Sequence, residues 1–384
     1  MIVAALCLCA AALIALLALE CLLGARRQQS LTAPATKNPF GFTVLMPAHD
    51  EARGIGASIE AVMAQLGAAD MLLVVADNCT DDTALVARAM GAEVIERFDP
   101  SLRGKGYALE FGRAHLRGKA GDVVIILDAD CLAEPGALPR IAATARAKDA
   151  VVQGAYLLAP RSDASTKVRI SSFAFLIKNL VRQRALGRLA GTALLQGSGM
   201  AFPRRIFDRV EWKADSLVED LDMGVDLLLA GERVVFDDSA TFFSDASSDA
   251  GTESQRRRWE HGMLSSMARH VPALLGRALR GKPRLIWMAL DLMVPPTVML
   301  LAGSLLILAL SAAIAGLAWP ALTLGIALLC LGLSLARAWA AEGRDLLPWR
   351  SVALIPAYMF WKLPIAAQFI LRRERHWIRT EREP

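Results

Sequence analysis

The uneven distribution of apolar residues is the feature that most constrains this chain. Three long apolar stretches occur, at residues 2–23, 285–335 and 352–371. A bilayer core takes about 20 apolar residues per helix, so the first stretch is long enough for one span and the second for two. The hydrophobic content of 54% is concentrated in these stretches. Residues 41–260 between them have the composition of an ordinary soluble domain.

The second stretch predicts two transmembrane helices, residues 292–314 and 317–337. The third is interrupted by prolines and a lysine, and it predicts either a fourth span or an amphipathic helix in the membrane interface. The predicted organisation begins with an N-terminal transmembrane helix (residues 1–24), a linker (25–40) and a cytoplasmic domain (41–262). It continues with an interfacial amphipathic segment (263–285), two transmembrane helices (286–340) and a C-terminal membrane or interfacial helix with a basic tail (349–384).

Arginine residues near the apolar stretches predict the orientation of the chain. Arg26 and Arg27 follow the first stretch directly. Because basic residues stay on the cytoplasmic side, we expect residues 41–262 to lie in the cytoplasm at the inner or plasma membrane. A cleaved signal peptide is the alternative for the first stretch, but no basic residue precedes it. Basic residues gathered at membrane ends favour lipid headgroups, and we expect no nucleic-acid partner.

The soluble domain alternates short apolar runs with helical spacing. The runs predict strands at residues 42–46, 71–76, 93–95 and 123–127, with Pro47 ending the first of them. Thr80 is expected to cap the helix after the second strand. Such an order predicts an α/β domain with a mostly parallel sheet, in which ligands bind at the carboxyl ends of the strands. The polar residues after three strands should therefore face one crevice: His49, Asp50 and Glu51; Asp77 and Asn78; Asp128 and Asp130.

The pair Asp128 and Asp130 predicts a metal site. Two like charges this close repel each other unless a cation or hydrogen bonds offset them. Carboxylate oxygens are ligands that Mg²⁺ or Mn²⁺ prefers, usually together with phosphate oxygens. Asp and Asn after a strand are also common turn residues, and for Asp77 taken alone the two interpretations are equally good.

Other sequence features narrow the choice of ligand. Neither a Walker phosphate loop nor a dinucleotide-binding glycine pattern follows the first strand, which argues against an ATPase and a dinucleotide oxidoreductase. Lys105 lies in a basic glycine loop, Arg103-Gly104-Lys105-Gly106, which either approaches a phosphate or forms a plain turn.

The second half of the domain adds three clusters. Gly197, Ser198 and Gly199 form a flexible loop that either approaches a ligand closely or makes a turn. Glu219 and Asp220 are expected in the first turn of a helix, where they either complement the helix dipole or supply a general base. The segment Gln255–Trp259 combines arginines, which pair well with phosphate, with an indole suited to stacking on a sugar. A juxtamembrane lipid anchor is the alternative for this segment.

Taken in order, these motifs resemble the membrane-bound family-2 glycosyltransferases, the group that includes cellulose, hyaluronan and chitin-oligosaccharide synthases. The resemblance covers nearly the whole soluble domain. It implies an A-type glycosyltransferase domain with a nucleotide-sugar-binding sheet flanked by transmembrane helices. The implied enzyme is an inverting glycosyltransferase that uses a UDP-sugar and Mg²⁺ or Mn²⁺ in surface polysaccharide or glycolipid synthesis. The implied acceptor is a lipid-linked or growing saccharide, and export partner proteins would handle a polymer.

The resemblance also implies roles for individual residues. Asp77 would hold the nucleotide beside the loop that contains Pro47, His49 and Glu51, and Asp128 and Asp130 would hold the metal. Asp220, next to Glu219, would deprotonate the acceptor. The loop of Gly197, Ser198 and Gly199 would line the acceptor side, and Gln255, Arg258 and Trp259 would contact the diphosphate and the acceptor sugar.

The chain departs from the family pattern in ways that bear on the product. Asp50 stands where Asn is commoner, and the acceptor loop lacks the aromatic pair of the cellulose synthases. Three or four spans are also fewer than a long polymer channel needs. Two other classes stay open: a metal-dependent membrane phosphoesterase, and a non-catalytic scaffold that binds nucleotide sugars. The phosphoesterase would need further metal ligands, and none of the five histidines clusters near Asp128 in the sequence.

Overall fold

The computed structural model describes residues 1–26, 40–119, 121–212, 218–246, 249–316 and 318–359, without the side chains of residues 249–258 and 315. Most of the predicted linker and the predicted C-terminal helix beyond residue 359 lie outside these residues. The strands are β1 Phe42–Ala48, β2 Met71–Asp77, β3 Glu93–Arg97, β4 Val123–Ile126, β5 Cys131–Ala133, β6 Val151–Ala159, β7 Met200–Pro203 and β8 Val234–Asp245.

The helices begin with α1 Ile2–Gly24, α2 Ile55–Met63, α3 Thr83–Ala89, α4 Lys105–His115, α5 Ala137–Lys148, α6 Thr166–Leu176 and α7 Arg182–Ala190. They continue with α8 Arg204–Phe207, α9 Glu219–Ala230, α10 Asp249–Leu279, α11 Leu285–Met293, α12 Thr297–Ala315, α13 Trp319–Ala338 and α14 Trp349–Val352. Two π-helical segments, Ile177–Val181 and Trp339–Gly343, precede α7 and follow α13.

The chain divides into two compact units. The helical unit comprises residues 1–27, 159–191 and 246–384, and the sheet unit comprises residues 28–158 and 192–245. In the sheet unit the described strands form one sheet in the order β3-β2-β1-β4-β7-β6-β8-β5. The α/β architecture predicted from the sequence is therefore confirmed.

The first four strands of the sheet unit form its parallel part. β1 pairs in parallel with β2 on one side and β4 on the other, and β2 pairs in parallel with β3. Residues of β1, β2 and β4 are almost all buried, because α3 and α4 pack on the β1–β3 strands and α5 packs on β4. Burial on both faces explains why these strands appear in the sequence as continuous apolar runs.

The prediction that Pro47 ends the first strand was wrong. β1 continues to Ala48, and Pro47 pairs with Val75 of β2. On the other side, the ladder to β4 ends at the pair Leu45 and Ile126. Pro47 thus lies beyond the end of the β4 ladder, at a position where a missing N–H is tolerated.

Thr80 does not cap the following helix, contrary to the prediction. α3 begins at Thr83, and the Asp81 carboxylate accepts a hydrogen bond from the backbone N–H of Thr83 at 3.0 Å. This short Asp-based turn delays the helix start by three residues. Thr80 instead donates from its backbone N–H to the Asp50 carboxylate at 2.6 Å.

The second half of the sheet is antiparallel and was not predicted. β7 pairs antiparallel with both β4 and β6, and β5 pairs antiparallel with β8. The sheet is therefore mixed, with parallel pairs among β1–β4 and antiparallel pairs at β4–β7, β6–β7 and β5–β8. The short strands β5 and β7 have three and four residues, which is too few to show an alternating pattern in the sequence.

Among the described residues of the helical unit, three helices are long and apolar enough to span a membrane: Ile2–Gly24, Thr297–Ile314 and Trp319–Gly343. α1 packs along α13 and also against α12 and α7. The predicted spans 292–314 and 317–337 match the second and third helices, but the first of them begins later than predicted. The Pro295-Pro296 pair explains this shift, since it separates α12 from the short helix α11.

A buried charge triad connects three helices of the helical unit. The Arg182 guanidinium of α7 donates to the Glu20 carboxylate of α1 and to the Asp291 carboxylate of α11, each at 2.8 Å. The side chains of all three residues are at most 6% exposed. Glu20 and Asp291, the charges that interrupt the apolar stretches in the sequence, thus share one cation.

Candidate active site

The polar residues after β1, β2 and β4 lie at one edge of the sheet unit, as the sequence predicted. β1 stands between β2 and β4, and parallel strands place their carboxyl ends together. The His49 ring nitrogen Nδ1 contacts the Asp77 carbonyl oxygen at 2.7 Å, which links the ends of β1 and β2. The three clusters therefore belong to one crevice of the sheet unit.

The loop after β1 is held in place by hydrogen bonds to the segment after β2. His49, Asp50 and Cys79 bring their polar atoms within 4.8 Å of one another. The Asp50 carboxylate accepts from Thr80, and the backbone N–H of Glu51 donates to the Thr83 hydroxyl at 2.8 Å. This network fixes the two loops against each other.

Two residues of these loops adopt backbone angles that are unusual for residues other than glycine. Asp50 has φ 50° and Asn78 has φ 52°. Asp and Asn tolerate the left-handed region better than other side chains. Their backbone conformation gives a structural reason for short polar residues at both positions.

Asp77 forms a buried ion pair that the sequence did not reveal. The Arg97 guanidinium, at the end of β3, donates to one Asp77 carboxylate oxygen at 2.6 Å, and the Asn78 amide donates to the same oxygen at 3.0 Å. The Asp77 side chain is only 8% exposed. Its charge is thus compensated by a neighbouring strand, and its position is fixed. The parallel pairing of β2 with β3, which places Arg97 opposite Asp77, was the signal that could have found this partner.

Lys105 joins the metal-site candidate to the glycine loop. Its ammonium donates to the Asp128 carboxylate at 2.5 Å and to the Gly197 carbonyl oxygen at 2.6 Å. Burial lowers the pKa of Lys105, but the charges of Asp128, Glu219 and Asp220 outweigh that effect and leave the pKa above its usual value. Lys105 is therefore a permanent cation among three carboxylates.

The loop from Gln196 to Gly199 brings Asp220 to the same place. Gly197 has φ 89°, and a Cβ atom built on it would lie 3.3 Å from an Asp220 carboxylate oxygen and 3.6 Å from the Lys105 ammonium. Glycine is required there both for its backbone angle and for the close approach of the two side chains. Asp220 and Glu219 lie in the first turn of α9, as predicted, and both are half-buried.

Ser198 is fully buried and couples the same loop to β4. Its hydroxyl accepts a hydrogen bond from the backbone N–H of Asp128 at 3.1 Å. The loop thus contacts Asp128 through this backbone group and meets the Asp128 side chain through Lys105. Gly199 has φ 65° and packs against the Phe242 ring of β8, where any larger side chain would collide.

Asp130 lies in the turn between β4 and β5, beside two groups that the sequence did not single out. Tyr156 of β6 is buried and donates its hydroxyl to Ser244 at 3.1 Å. Burial raises the pKa of the Tyr156 phenol well above its usual range, and the negative charge of Asp130 adds to the shift. Burial likewise raises the pKa of the Cys131 thiol. Both groups therefore stay neutral next to the carboxylates.

The predicted Gln255–Trp259 motif belongs to the helical unit, where it lies on α10. The Trp259 ring packs against Phe175 of α6, with 5.4 Å between the ring centroids. The side chains of Gln255 and Arg258 lie outside the described residues. The predicted boundary at residue 262 falls inside α10, which is continuous from the motif to Leu279.

The comparison with known families decides the identity of this domain. The profile described as glycosyltransferase-like family 2 matches residues 39–262, more than half of the chain. The chain belongs to glycosyltransferase family 2. It is therefore an enzyme of the glycosyltransferase class, as the order of its motifs predicted, and the phosphoesterase and scaffold alternatives are not favoured.

Two relatives in sequence support this assignment over shorter segments. A low-salt glycan biosynthesis hexosyltransferase of Haloferax volcanii is 38% identical over 112 residues, which are 28% of this chain and 25% of the relative. A glucosyl-3-phosphoglycerate synthase of Mycolicibacterium paratuberculosis is 36% identical over 104 residues, which are 26% of this chain and 31% of the relative. The chain thus matches less than a third of the length of either relative.

A solved structure resembles the glycosyltransferase along almost its whole length. It is a mannosyltransferase from Pyrobaculum calidifontis in complex with GDP-Man and Mn²⁺, with a TM-score of 0.63 and 20% identity. The likeness covers 97% of this chain and 100% of that chain. It confirms the predicted fold class.

Proposed function

We propose that this glycosyltransferase transfers a sugar from a nucleoside diphosphate sugar to a lipid-linked or saccharide acceptor, with inversion at the anomeric carbon. The observation that carries the proposal is the arrangement of four residues in a family-2 domain. The Lys105 ammonium binds the Asp128 carboxylate and the Gly197 carbonyl, and Gly197 leaves the Asp220 carboxylate accessible. UDP-sugars are the leading donors, and a solved neighbour that binds GDP-Man makes GDP-sugars the second choice.

The residues after β4 fit a divalent cation. Asp128 and Asp130 offer carboxylate oxygens, the donors that Mg²⁺ and Mn²⁺ prefer. When bound, the cation would offset negative charge on the leaving diphosphate. The mannosyltransferase of similar fold was solved in complex with Mn²⁺, which also supports this proposal.

Lys105 would assist the same leaving group. Its ammonium is held by Asp128 and by the Gly197 carbonyl, so it is oriented before a substrate arrives. A fixed cation costs no reorganisation when charge develops on a phosphate oxygen nearby. Asp77, together with the loop that contains Pro47, His49 and Glu51, would hold the nucleotide at the ends of β1 and β2.

Asp220 would act as the general base that deprotonates the acceptor hydroxyl. It lies at the first turn of α9, directly against Gly197, where a side chain would otherwise block access. Such proton removal contributes about 10²- to 10⁴-fold to a rate. Because a single carboxylate is assigned as base and none as nucleophile, the reaction would be one in-line displacement with inversion. Glu219 would complement the helix dipole beside Asp220.

The membrane helices support a membrane-bound acceptor, as in the synthase group that the motifs resemble. In the part of the chain that the structure describes, three helices are long and apolar enough to span a membrane. Arg26 follows the first and Arg344 follows the last, so the basic residues would place the catalytic domain in the cytoplasm. The product would be a glycolipid or a surface polysaccharide, and a polymer would require export partner proteins because three spans make a small channel.

The direct test is release of nucleoside diphosphate from a panel of UDP-sugars and GDP-mannose by the purified full chain, with Mg²⁺ or Mn²⁺ and membrane lipid. Release from one donor, and its loss with EDTA, is the expected result. Product mass after a long reaction then separates one added sugar from a ladder of sugars. A chain that releases no diphosphate from any donor would refute the proposal.

The base assignment has its own test. Asp220→Asn should lower turnover by at least about 10²-fold while nucleotide binding, measured by calorimetry, stays close to that of the wild type. Asp226→Asn makes the same change at an exposed position of the same helix and should keep full turnover. Unchanged turnover in Asp220→Asn would rule out Asp220 as the base.

A further inference from the structure

We infer that Gln153 is the positioning residue that sets the geometry of the acceptor-side loop, and through it the placement of Lys105 and Asp128 for transfer. This inference rests on the proposed function. Gln153 lies on β6, touches no substrate position assigned above, and forms part of no motif in the sequence. Its side chain is fully buried within the sheet unit.

The amide of Gln153 bonds only to backbone groups around the glycine loop. Its oxygen Oε1 accepts from the backbone N–H of Gln196 at 2.9 Å. Its nitrogen Nε2 donates to the carbonyl oxygens of Ser198 and Gly154, each at 2.9 Å, and lies 3.4 Å from that of Gly199. One side chain thus binds both ends of the loop, with a donor toward one end and an acceptor toward the other.

The loop has strand-like bonds only at its far end, where the Gly199 N–H donates to the Ile126 carbonyl at 3.0 Å and the Gly199 carbonyl accepts from the Gly154 N–H at 2.9 Å. Gly197 and Gly199 both have positive φ angles, which a regular strand does not have. A buried backbone group without a partner is costly, and the Gln153 amide supplies partners for the Gln196 N–H and the Ser198 carbonyl. Beyond the loop, β7 resumes regular pairing, with Met200 opposite Gln153.

The position of the glycine loop in turn affects the positions of the charged residues that it contacts. The Gly197 carbonyl accepts from Lys105 at 2.6 Å, and the Ser198 hydroxyl accepts from the backbone of Asp128 at 3.1 Å. Asp220 packs against Gly197. A shift of the loop would therefore move the Lys105 ammonium relative to Asp128 and Asp220. Because a misplacement of about 1 Å can cost about 10²-fold in rate, the geometry assigns Gln153 a kinetic role.

Gln65 provides a matched control for a purely structural role. Its amide also bonds three backbone groups of the sheet unit: it donates to the carbonyls of Ala61 and Ala133 and accepts from the N–H of Leu138. None of these groups belongs to the glycine loop. Loss of hydrogen bonds at Gln65 should therefore affect stability without affecting the placement of Lys105.

The experiment compares Gln153→Met and Gln65→Met in the full chain, using the donor and metal that support wild-type turnover. Both changes keep the length of the side chain and remove its hydrogen bonds. We expect Gln153→Met to lower kcat by about 30- to 100-fold, with the nucleotide Kd within about threefold of wild type, and Gln65→Met to leave kcat within about threefold. Thermal unfolding checks that both variants are folded at the assay temperature before kcat is compared.

The variant Gln153→Glu supplies a readout that a structural role would not produce. A neutral carboxyl can still donate to Ser198 and accept from Gln196, whereas a carboxylate would face carbonyl oxygens. Burial raises the pKa of a carboxyl group, so kcat of this variant should be highest at low pH and fall as the pH rises through that pKa, relative to wild type. Gln65→Glu should show no such added decline.

The outcomes separate the two claims. If wild type turns over a donor while folded Gln153→Met keeps wild-type kcat, or Gln153→Glu shows the wild-type pH profile, the positioning role is overturned and the proposed function stands. Turnover of no donor by the wild-type chain would overturn the proposed function and this inference with it.

Discussion

At the scale of single residues, the candidate site consists of charges that are paired before any substrate binds. Arg97 neutralises Asp77, and Lys105 neutralises Asp128. The raised pKa of Lys105 means that the stabilising contribution of its ammonium is fully present near neutral pH and is lost only as the pH rises from the unfolded lysine value of about 10.4 through the higher folded value. The positive charge of Lys105 is therefore constant across the physiological pH range.

Gly199 gives a prediction about local packing. Gly199→Ala should lower the Tm of the full chain in detergent more than Gly118→Ala does. Both residues have positive φ angles, 65° and 74°, so the backbone cost of about 1–3 kcal/mol is similar. Only at Gly199 would the new Cβ lie closer than 3.0 Å to the Phe242 ring, whereas nothing lies within 4 Å at Gly118. Overpacking adds about 1–3 kcal/mol, and equal losses of Tm would contradict this account.

At the scale of elements, α1 is a structural part of the helical unit as well as a candidate span. Glu20 reaches the Arg182 guanidinium of α7, which also holds Asp291 of α11. Gly24 lies so close to the Val181 carbonyl that no larger side chain fits between the two segments. Breaking a buried ion pair by removing one partner costs about 3–5 kcal/mol, because it leaves an uncompensated charge.

The triad predicts an order of stability among variants. Arg182→Met should give a large fall in Tm in detergent, because two carboxylates would then be buried without a cation. The triple variant Glu20→Gln, Arg182→Met, Asp291→Asn should fall less, since no charge is left unpaired. Arg205→Met removes an arginine that is 41% exposed and pairs with Asp149, so it should change Tm very little. A triple variant less stable than Arg182→Met would count against the triad as a charge-balanced unit.

At the scale of the whole molecule, the two units differ in where their apolar side chains lie. The sheet unit buries its apolar residues against its own helices, whereas α12 and α13 expose large apolar side chains, which suits lipid. If the three candidate spans of the described residues all cross the membrane, the segment after α1 and the segment after α13 lie on the same side. The segment between α12 and α13 would then face the exterior and the segment after α13 the cytoplasm.

Cysteine labelling in intact expressing cells tests this arrangement. Ala318→Cys, before α13, should react with a membrane-impermeant maleimide from outside the cell. Asp345→Cys, in the exposed segment after α13, should react only after permeabilisation. The wild-type chain, with its six native cysteines, gives the background. The opposite labelling pattern would place the catalytic domain outside the cell and refute the proposed orientation.

Much of the parallel half of the sheet could be predicted from the sequence, because buried central strands need continuous apolar runs. The same rule located Asp77, Asp128 and Asp130 at one edge. The antiparallel strands β5 and β7 were missed because three or four residues carry no readable period. Arg97, Tyr156 and Gln153 were missed because their partners are distant in the chain, and no local pattern marks them.

The sequence by itself determined the positions of the long apolar stretches, the α/β class and the order of the family motifs. These depend on composition and local periodicity, which act over a few residues. The tertiary structure alone decided which charges meet: Lys105 with Asp128, Arg97 with Asp77, and Arg182 with Glu20 and Asp291. Charge pairing in a buried setting acts over a few ångströms in space. The packing of strands and helices, and not distance along the chain, sets those distances.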